Sequence, residues 1–381
     1  MRTETPLVLS PAPGLTVGDW RSTVPGCDLI LVDHAVATRV QDALPRGLPS
    51  LVVRETAGPA QIKAVARRIE ASDPVRVVAI GGGATMDLAK LALVVAERPT
   101  VMPWLEQQAT RCGFIPLRAP TRRRHLTLVP TTVGTGSESS AGACFDHVMA
   151  DSTHTETARS LVAGEALRAD RAWVDPALLT SLPLTLVREG TLEALSRVLV
   201  SAVVSPSVCE PAEWEAQMLT THLLDVLDEL ALTGADEDLL RITAIASSMT
   251  HRGAALAGRG PYPSPLWFVA TELSMVAGVR KTTALSALLG PWAEEVTSGG
   301  SQWGAPGVLD RLLPSGGLGL GVQLEHWGLP TKLVVRTGTC RRTAERVTAR
   351  FGGRLPMMER YDYAVLEDLV SRALVEVGTD A

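Results

Sequence analysis

Residues 78–90 read Val-Ala-Ile-Gly-Gly-Gly-Ala-Thr-Met-Asp-Leu-Ala-Lys. An apolar run from Val75 to Ile80, broken only by Arg76, ends on three glycines, and an Ala/Leu-rich helical pattern follows at once. The stretch predicts a strand, a tight turn and a helix N-terminus. Glycine admits positive φ and lets the backbone approach a ligand closely. The first helical N–H groups then point into the turn with the positive end of the helix dipole behind them, which suits a phosphate or pyrophosphate. The spacing is not G-x-G-x-x-G, so the general dinucleotide fingerprint is not met. A bare triple-glycine turn also serves simply to pack a helix on a strand.

A second segment narrows the choice. An apolar strand from Leu126 to Val129 runs into Pro130-Thr131-Thr132-Val133-Gly134-Thr135-Gly136-Ser137-Glu138, a turn rich in hydroxyls and free N–H groups. Together with Gly81-Gly82-Gly83-Ala84-Thr85-Met86-Asp87-Leu88-Ala89-Lys90, this run resembles the superfamily of iron-containing (group III) alcohol dehydrogenases and dehydroquinate synthases. Val174-Asp175-Pro176 is a third match. The resemblance covers roughly residues 25 to 300, and the C-terminal 80 or so match only in being helical.

The alternation of strand and helix in the first half implies a parallel sheet covered on both faces. Strands are expected at 29–32, 51–53, 75–80, 126–129 and 172–174, with helices at 59–70 and 87–97. After Asp175-Pro176 the pattern turns helical, over 188–204, 210–232, 236–257, 266–278, 282–297, 341–350 and 363–377. The expected fold is an α/β Rossmann-like domain with a parallel sheet over residues 1–178, then an all-α substrate domain over 179–381. The resemblance implies the same dehydroquinate synthase-like form, with the active site in the cleft between domains.

Composition bounds the function. A net charge of −5 argues against a nucleic-acid surface. Five scattered cysteines without CxxC spacing point to a reducing compartment and no structural metal cluster. The N-terminus lacks a signal-peptide pattern and no run of 18 apolar residues spans a membrane. The expectation is a cytoplasmic protein without nucleic-acid or membrane partners. Of 36 basic residues only Lys63, Lys90, Lys281 and Lys332 are lysine.

By resemblance, Gly81, Gly82, Gly83, Thr85 and Asp87 hold the pyrophosphate of NAD or NADP, and Thr131, Thr132, Gly134, Thr135 and Ser137 line the rest of the cofactor. Asp87 also suits the helix N-terminus by charge alone. The acidic residue that relatives place on the adenosine ribose aligns with Val53, followed by Arg54, which favours NADP. A slip of two residues puts Glu55 there, which favours NAD.

Relatives that oxidise alcohols hold a divalent metal with an Asp and three His. The corresponding positions here are Glu193, Arg197, Trp267 and Lys281, so no metal is expected. Glu193 and Arg197 stand four apart on one helical face and can pair. Arg197 and Lys281 would grip a substrate carboxylate or polarise the reacting oxygen, and a lysine beside an arginine can also serve as a base. An ordinary helix salt bridge is the plainer reading. Trp267 and Arg159 are candidate substrate contacts, Arg159 standing where many relatives carry a lysine. Among the seven histidines, His147, in the loop after the second motif, is the best catalytic candidate.

The expected activity is metal-independent, NAD(P)-dependent oxidation of a secondary alcohol, with a carboxylate near the hydroxyl. Oxidising a 3-hydroxy acid gives a 3-keto acid that loses CO2 readily. The resemblance extends to tailoring dehydrogenases of daptide-type peptide biosynthesis, which oxidise a C-terminal Thr with decarboxylation; a peptide substrate, a biosynthetic partner protein and a homodimer are further expectations. The alternatives are a sugar-phosphate cyclase resembling dehydroquinate synthase, and a catalytically inactive nucleotide-binding scaffold.

Overall fold

The computed structural model describes residues 14–54, 56–150, 155–260 and 264–378. The chain forms two compact units, Pro13–Val187 with Ala235–Ser248, and Arg188–Gly234 with Met249–Ala381 among the described residues. The division falls at 187/188, beyond the expected 178/179, and the helical stretch 235–248 groups with the α/β unit.

The strands in chain order are β1 (Gly14–Val17), β2 (Leu29–Asp33), β3 (Ser50–Val53), β4 (Arg76–Gly81), β5 (Phe114–Pro116), β6 (His125–Pro130), β7 (Gly142–Ala150), β8 (Thr155–Ala163), β9 (Arg171–Val174), β10 (Leu333–Arg336) and β11 (Leu374–Val377). Six of them form one parallel sheet in the order β1-β9-β6-β4-β2-β3. Its central strands are apolar on both faces, as a doubly covered parallel sheet requires. Leu29, Leu31, Val77, Ala79, Leu126 and Leu128 pack with the helices Pro59–Ser72, Gly83–Glu97 and Val101–Ala109. The alternate residues Ile30, Val32, Val78, Ile80 and Val129 pack with Trp20, Val36, Val40 and Leu178. Each large aliphatic side chain buried this way stabilises the fold by about 1.5–3 kcal/mol relative to exposure.

The sheet's topology selects one place on its edge. The chain leaves β2 for β3 on one side and returns to β4 on the other, so the carboxyl ends of β2 and β4 flank a switch point, where open α/β sheets bind ligands.

A feature absent from the sequence reading is the three-stranded sheet β5-β8-β7, with β7 and β8 antiparallel and in register from Gly142↔Ala163 to Ala150↔Thr155. Its signal is a period of two: Ala143, Phe145 and His147 face inward on β7, and Ala158, Ser160 and Val162 on β8. The second unit is helical apart from the parallel pair β10–β11. The helix expected at 363–377 stops at Arg372, and Leu374–Val377 is strand. The helix expected at 236–257 runs only from Glu237 to Met249. No helix of the described residues is long and apolar enough to cross a membrane.

Candidate functional site

The glycine turn stands at the switch point. The helix starts at Gly83 with Gly82 as its N-cap, four residues earlier than expected, so all three glycines sit in the turn's tightest part. None of the three has positive φ. What the turn needs is room: a Cβ on Gly81 would stand 2.7 Å from Thr85 Cβ and 2.8 Å from Asp33 Cβ, and one on Gly83 would stand 2.9 Å from Thr135 Cγ2. Gly134 (φ 100°) and Gly136 (φ 60°) in the second turn are the glycines that require the left-handed region.

The two turns are joined edge to edge. Thr131 N–H donates to Gly81 O at 3.0 Å, and Gly134 N–H donates to Ser247 Oγ at 3.0 Å. The Thr132 side chain comes within 3.3 Å of where a Gly82 Cβ would be. Its hydroxyl is buried without a hydrogen-bond partner among the described residues. A buried orphan hydroxyl beside a bare helix N-terminus is an incomplete arrangement that a ligand oxygen would complete.

Asp33, at the end of β2, was not singled out from the sequence. Its Oδ2 accepts from Thr85 Oγ1 at 2.9 Å and lies 3.5 Å from Gly82 N, while Oδ1 accepts from Ala35 N–H at 3.0 Å. The readable signal was an apolar strand ending on a carboxylate next to the glycine strand. The acidic residue had been sought after β3 instead; Val53 ends that strand, and Glu55 lies outside the described residues.

Asp87 and Ser137, expected among the cofactor's ligands, are bonded to one another: Ser137 Oγ donates to Asp87 Oδ1 at 2.6 Å. Cys144 N–H donates to Asp87 Oδ2 at 2.8 Å. Lys90, wholly buried, donates to Ser137 Oγ, Ser140 O and Gly142 O at 2.9, 3.2 and 2.8 Å. Burial pushes the Lys90 ammonium down to about 8 against the pull of Asp87 and Glu138, and burial likewise pushes the Asp87 carboxyl up against Lys90. The network fixes the second turn against the helix below it.

One further expectation is corrected, and a second candidate gains a partner. His147 lies within β7, not in a loop, and is buried. Its ring stacks on Phe145 at 5.5 Å and its Nε2 meets Ser160 Oγ at 3.0 Å. Arg159 faces Asp146 across the same hairpin and grips both carboxylate oxygens at 2.6 and 2.8 Å. That bidentate bond holds its guanidinium above the usual range.

In the helical unit Glu189, Glu193 and Arg197 recur every four residues along the Leu184–Val204 helix, and so share one face. Facing them is the N-terminus of the Lys281–Thr297 helix. Lys281 Nζ donates to Glu193 Oε1 at 2.5 Å. Arg197 Nη2 lies 3.8 Å from the same oxygen, and Nη1 donates to Thr250 Oγ1 at 2.6 Å. Trp267 lies under Lys281, its ring centroid 5.2 Å from Nζ. The four residues singled out from the sequence therefore form one cluster, with two cations around one carboxylate.

Glu189 was missed. It accepts from Arg280 at 2.7 and 2.8 Å, from Thr282 Oγ1 at 2.7 Å and from Thr283 Oγ1 at 2.9 Å. Burial pushes its carboxyl up, but these bonds outweigh it and hold it low. The residues on either side of Lys281 are thereby pinned to the neighbouring helix, which fixes where the ammonium stands.

A divalent metal does not fit this donor set. Glu193 alone offers lone pairs, and those face an ammonium and a guanidinium. Protonated Lys and Arg and the indole of Trp have no lone pair to give a metal. Elsewhere among the described residues no three or more His, Cys, Asp or Glu side chains gather in a metal-binding group.

Comparison with known proteins gives a consistent set of likenesses. Residues 27–176 match the family described as iron-containing alcohol dehydrogenase. The phosphonoacetaldehyde reductase of Streptomyces viridochromogenes is 30% identical over 224 residues, 58% of this chain and 54% of that one. Long-chain-alcohol dehydrogenase 1 of Geobacillus thermodenitrificans is 33% identical over 162 residues, 42% of this chain and 37% of that one. The matches thus span about half or less of these relatives' own length. The solved structure of the NADH-dependent butanol dehydrogenase A from Thermotoga maritima shares the fold at TM-score 0.76 and 15% identity, covering 97% of this chain and 99% of that one.

Proposed function

Through residues 27–176 the chain is a member of the iron-containing alcohol dehydrogenase superfamily, and on that premise we propose that it is an NAD(P)-dependent oxidoreductase interconverting a CH–OH group and a carbonyl, without a bound metal. The observation that carries the cofactor assignment is the cradle at the switch point: glycines whose Cβ positions are already occupied, a helix N-terminus and the orphan Thr132 hydroxyl. A nicotinamide dinucleotide bound there would supply the hydride acceptor. Gly82, Gly83 and the first-turn N–H groups would hold its pyrophosphate. Asp33 would accept from a ribose hydroxyl and would repel a 2′-phosphate, which selects NAD over NADP.

The helical cluster supplies the electrostatics. Two cations share Glu193, so the group carries one surplus positive charge. Lys281, seated on Trp267 and held by Glu193, is offered as a hydrogen-bond donor that stabilises the alkoxide formed when the hydroxyl gives its proton to solvent, before hydride passes from carbon to the dinucleotide. Arg197 adds a planar cation suited to a carboxylate. The substrate we favour is a 3-hydroxy acid, free or as the C-terminal Thr of a peptide whose keto product decarboxylates.

The test is reduced-nicotinamide formation by the purified protein with short 3-hydroxy acids, Thr-terminated peptides and the same compounds as methyl esters. Turnover of the free acids, loss of it in the esters and indifference to chelators would support the reading. Cofactor consumed and regenerated within each cycle would indicate a cyclase, and no dinucleotide binding would overturn the proposal.

A further inference from the structure

At the amino-terminal ends of β4, β6 and β9, opposite the glycine turn, the sheet opens into a cleft of about 290 Å³. Register explains what lines it. Arg76 pairs with His125, Val78 with Thr127, and Thr127 with Arg171. Residues in register share a face, and so do alternate residues along a strand. Arg76, His125, Thr127 and Arg171 therefore emerge on one face of three adjacent strands. Farther along, the same face is the apolar core of Ile80 and Val129. The lid is the segment after β1, which contributes the hydroxyls of Ser22 and Thr23.

The cleft is positively charged and unbalanced. No acidic side chain lines it. Among the described residues, the Arg76 and Arg171 guanidiniums and the His125 ring have no hydrogen-bond or ion-pair partner. The two nearby carboxylates are occupied: Asp28 accepts from the Val75 and Arg76 N–H groups at 2.8 Å each. Asp170 accepts from Leu126 N–H at 2.8 Å and pairs with Arg122 at 3.3 Å. The loop is shaped around Arg76, because Gly26 (φ 76°) lies so close that a Cβ there would be 2.5 Å from its Nη1.

The geometry points to an oxyanion site that nothing in the proposed chemistry uses. We infer that this cleft binds a phosphoryl group, held between Arg76 and Arg171 with the Ser22 and Thr127 hydroxyls and His125 completing its coordination, the Thr23 hydroxyl donating instead to Trp20 O at 2.7 Å. Forked guanidiniums and hydroxyls are the donors that phosphate oxygens accept from. At about 290 Å³ the volume is at the lower edge of small-molecule sites, enough for inorganic phosphate or for the phosphate of a small monoester. The site is independent of the dinucleotide, which belongs at the other end of these strands.

The charge balance makes binding pH-dependent. Burial holds His125 below its ordinary range; Asp170 pulls it up, and Arg171, Arg122 and Arg76 reinforce the lowering. Cys27, the other titratable group in the cleft, is kept a thiol by burial. A bound dianion cancels the arginines' effect, so His125 takes up a proton on binding. Affinity should rise as pH falls through the His125 range.

The experiment is a titration of the full chain, carrying ¹³C-labelled histidine, with inorganic phosphate and with glycerol phosphate at constant ionic strength. The His125 ring resonance is the reporter. Phosphate held at the glycine turn would leave that ring unmoved. A saturable shift absent with chloride, stronger at lower pH and weakened at least tenfold by Arg76→Gln or Arg171→Gln, is the expected result. Both arginines are exposed, and unchanged thermal unfolding will show that the variants fold. Tighter binding of the ester would identify the ligand as a phosphorylated metabolite, and preference for the inorganic ion as free phosphate. A chloride-like, non-saturable response, or folded variants that bind as the wild type does, would overturn the inference.

Discussion

Replacing Lys281 with methionine tests the electrostatic half of the proposed mechanism. Methionine keeps most of the stem's volume over Trp267 while removing the ammonium that stands 2.5 Å from Glu193 and 5.2 Å from the indole centroid. A unit charge about 3 Å from a fully formed alkoxide, at an effective dielectric of about 20, contributes about 5.5 kcal/mol. Charge develops only partly in a hydride-transfer transition state, and Glu193 opposes the ammonium. A loss near that of an oxyanion-hole donor is therefore expected, about 2.7–4 kcal/mol or 10²–10³ in kcat. The substitution also leaves Glu193 with Arg197 at 3.8 Å as its remaining cation in the cluster, so stability will fall. The double variant Lys281→Met/Glu193→Gln removes the carboxylate that has lost its nearer cation and should regain stability without regaining turnover. The assay is kcat and KM by reduced-nicotinamide absorbance, with dinucleotide affinity by fluorescence and unfolding by calorimetry. Turnover within about threefold of wild type in a folded, dinucleotide-binding Lys281→Met protein would refute the assignment.

Other predictions follow from the same geometry. Asp33→Gly should weaken NAD binding and improve NADP binding, by at least tenfold in the ratio of their dissociation constants; an unchanged ratio would remove Asp33 from the ribose site. Gly83→Ala sets a methyl 2.9 Å from Thr135 Cγ2 and should abolish dinucleotide binding while the helical unit still unfolds normally in calorimetry. Lys90→Met strips donors from Ser140 O and Gly142 O and a cation from Asp87, costing about 3 kcal/mol by the usual toll of one to two buried unsatisfied groups. The pH dependence has a definite sign. With the buried Lys90 near 8 and an unfolded lysine near 10.4, the unfolded chain binds more protons between those values, so Lys90's contribution to stability rises with pH across that window. Lys90→Met should flatten the rise in an alkaline series of melting temperatures. Glu189→Gln should lower kcat more than it raises KM, because it loosens the Arg280–Thr283 segment that positions Lys281.

Much of the architecture was legible because it rests on periodicity. The runs 29–32, 77–80 and 126–129 are apolar apart from Thr127 and lead into turn residues, the pattern of a sheet covered on both sides. The Glu193–Arg197–Lys281–Trp267 cluster was legible only through spacing against relatives, since no local pattern ties Lys281 to a helix 88 residues earlier. The β7–β8 hairpin was hidden by the hydroxyl-rich turn before it, which drew attention away from the alternation Ala143-Phe145-His147. His147 and Arg159 have partners that lie across this strand pair and not along the sequence. Asp33 escaped for a similar reason: parallel pairing of β2 with β4 brings it to a turn 48 residues later, and only register reveals that. Gly81 and Gly83 are required by the nearness of Thr85, Asp33 and Thr135 and not by φ.

The proposed function requires a dinucleotide site and fixed side-chain cations in place of a metal. The most direct measurement is turnover of the exhaustively chelated protein, assayed before and after adding Fe²⁺ or Zn²⁺, with metal content determined in the same samples. Metal-free protein with full activity, unimproved by either ion, is predicted. Activity that appears only with stoichiometric uptake of one of the ions would contradict it.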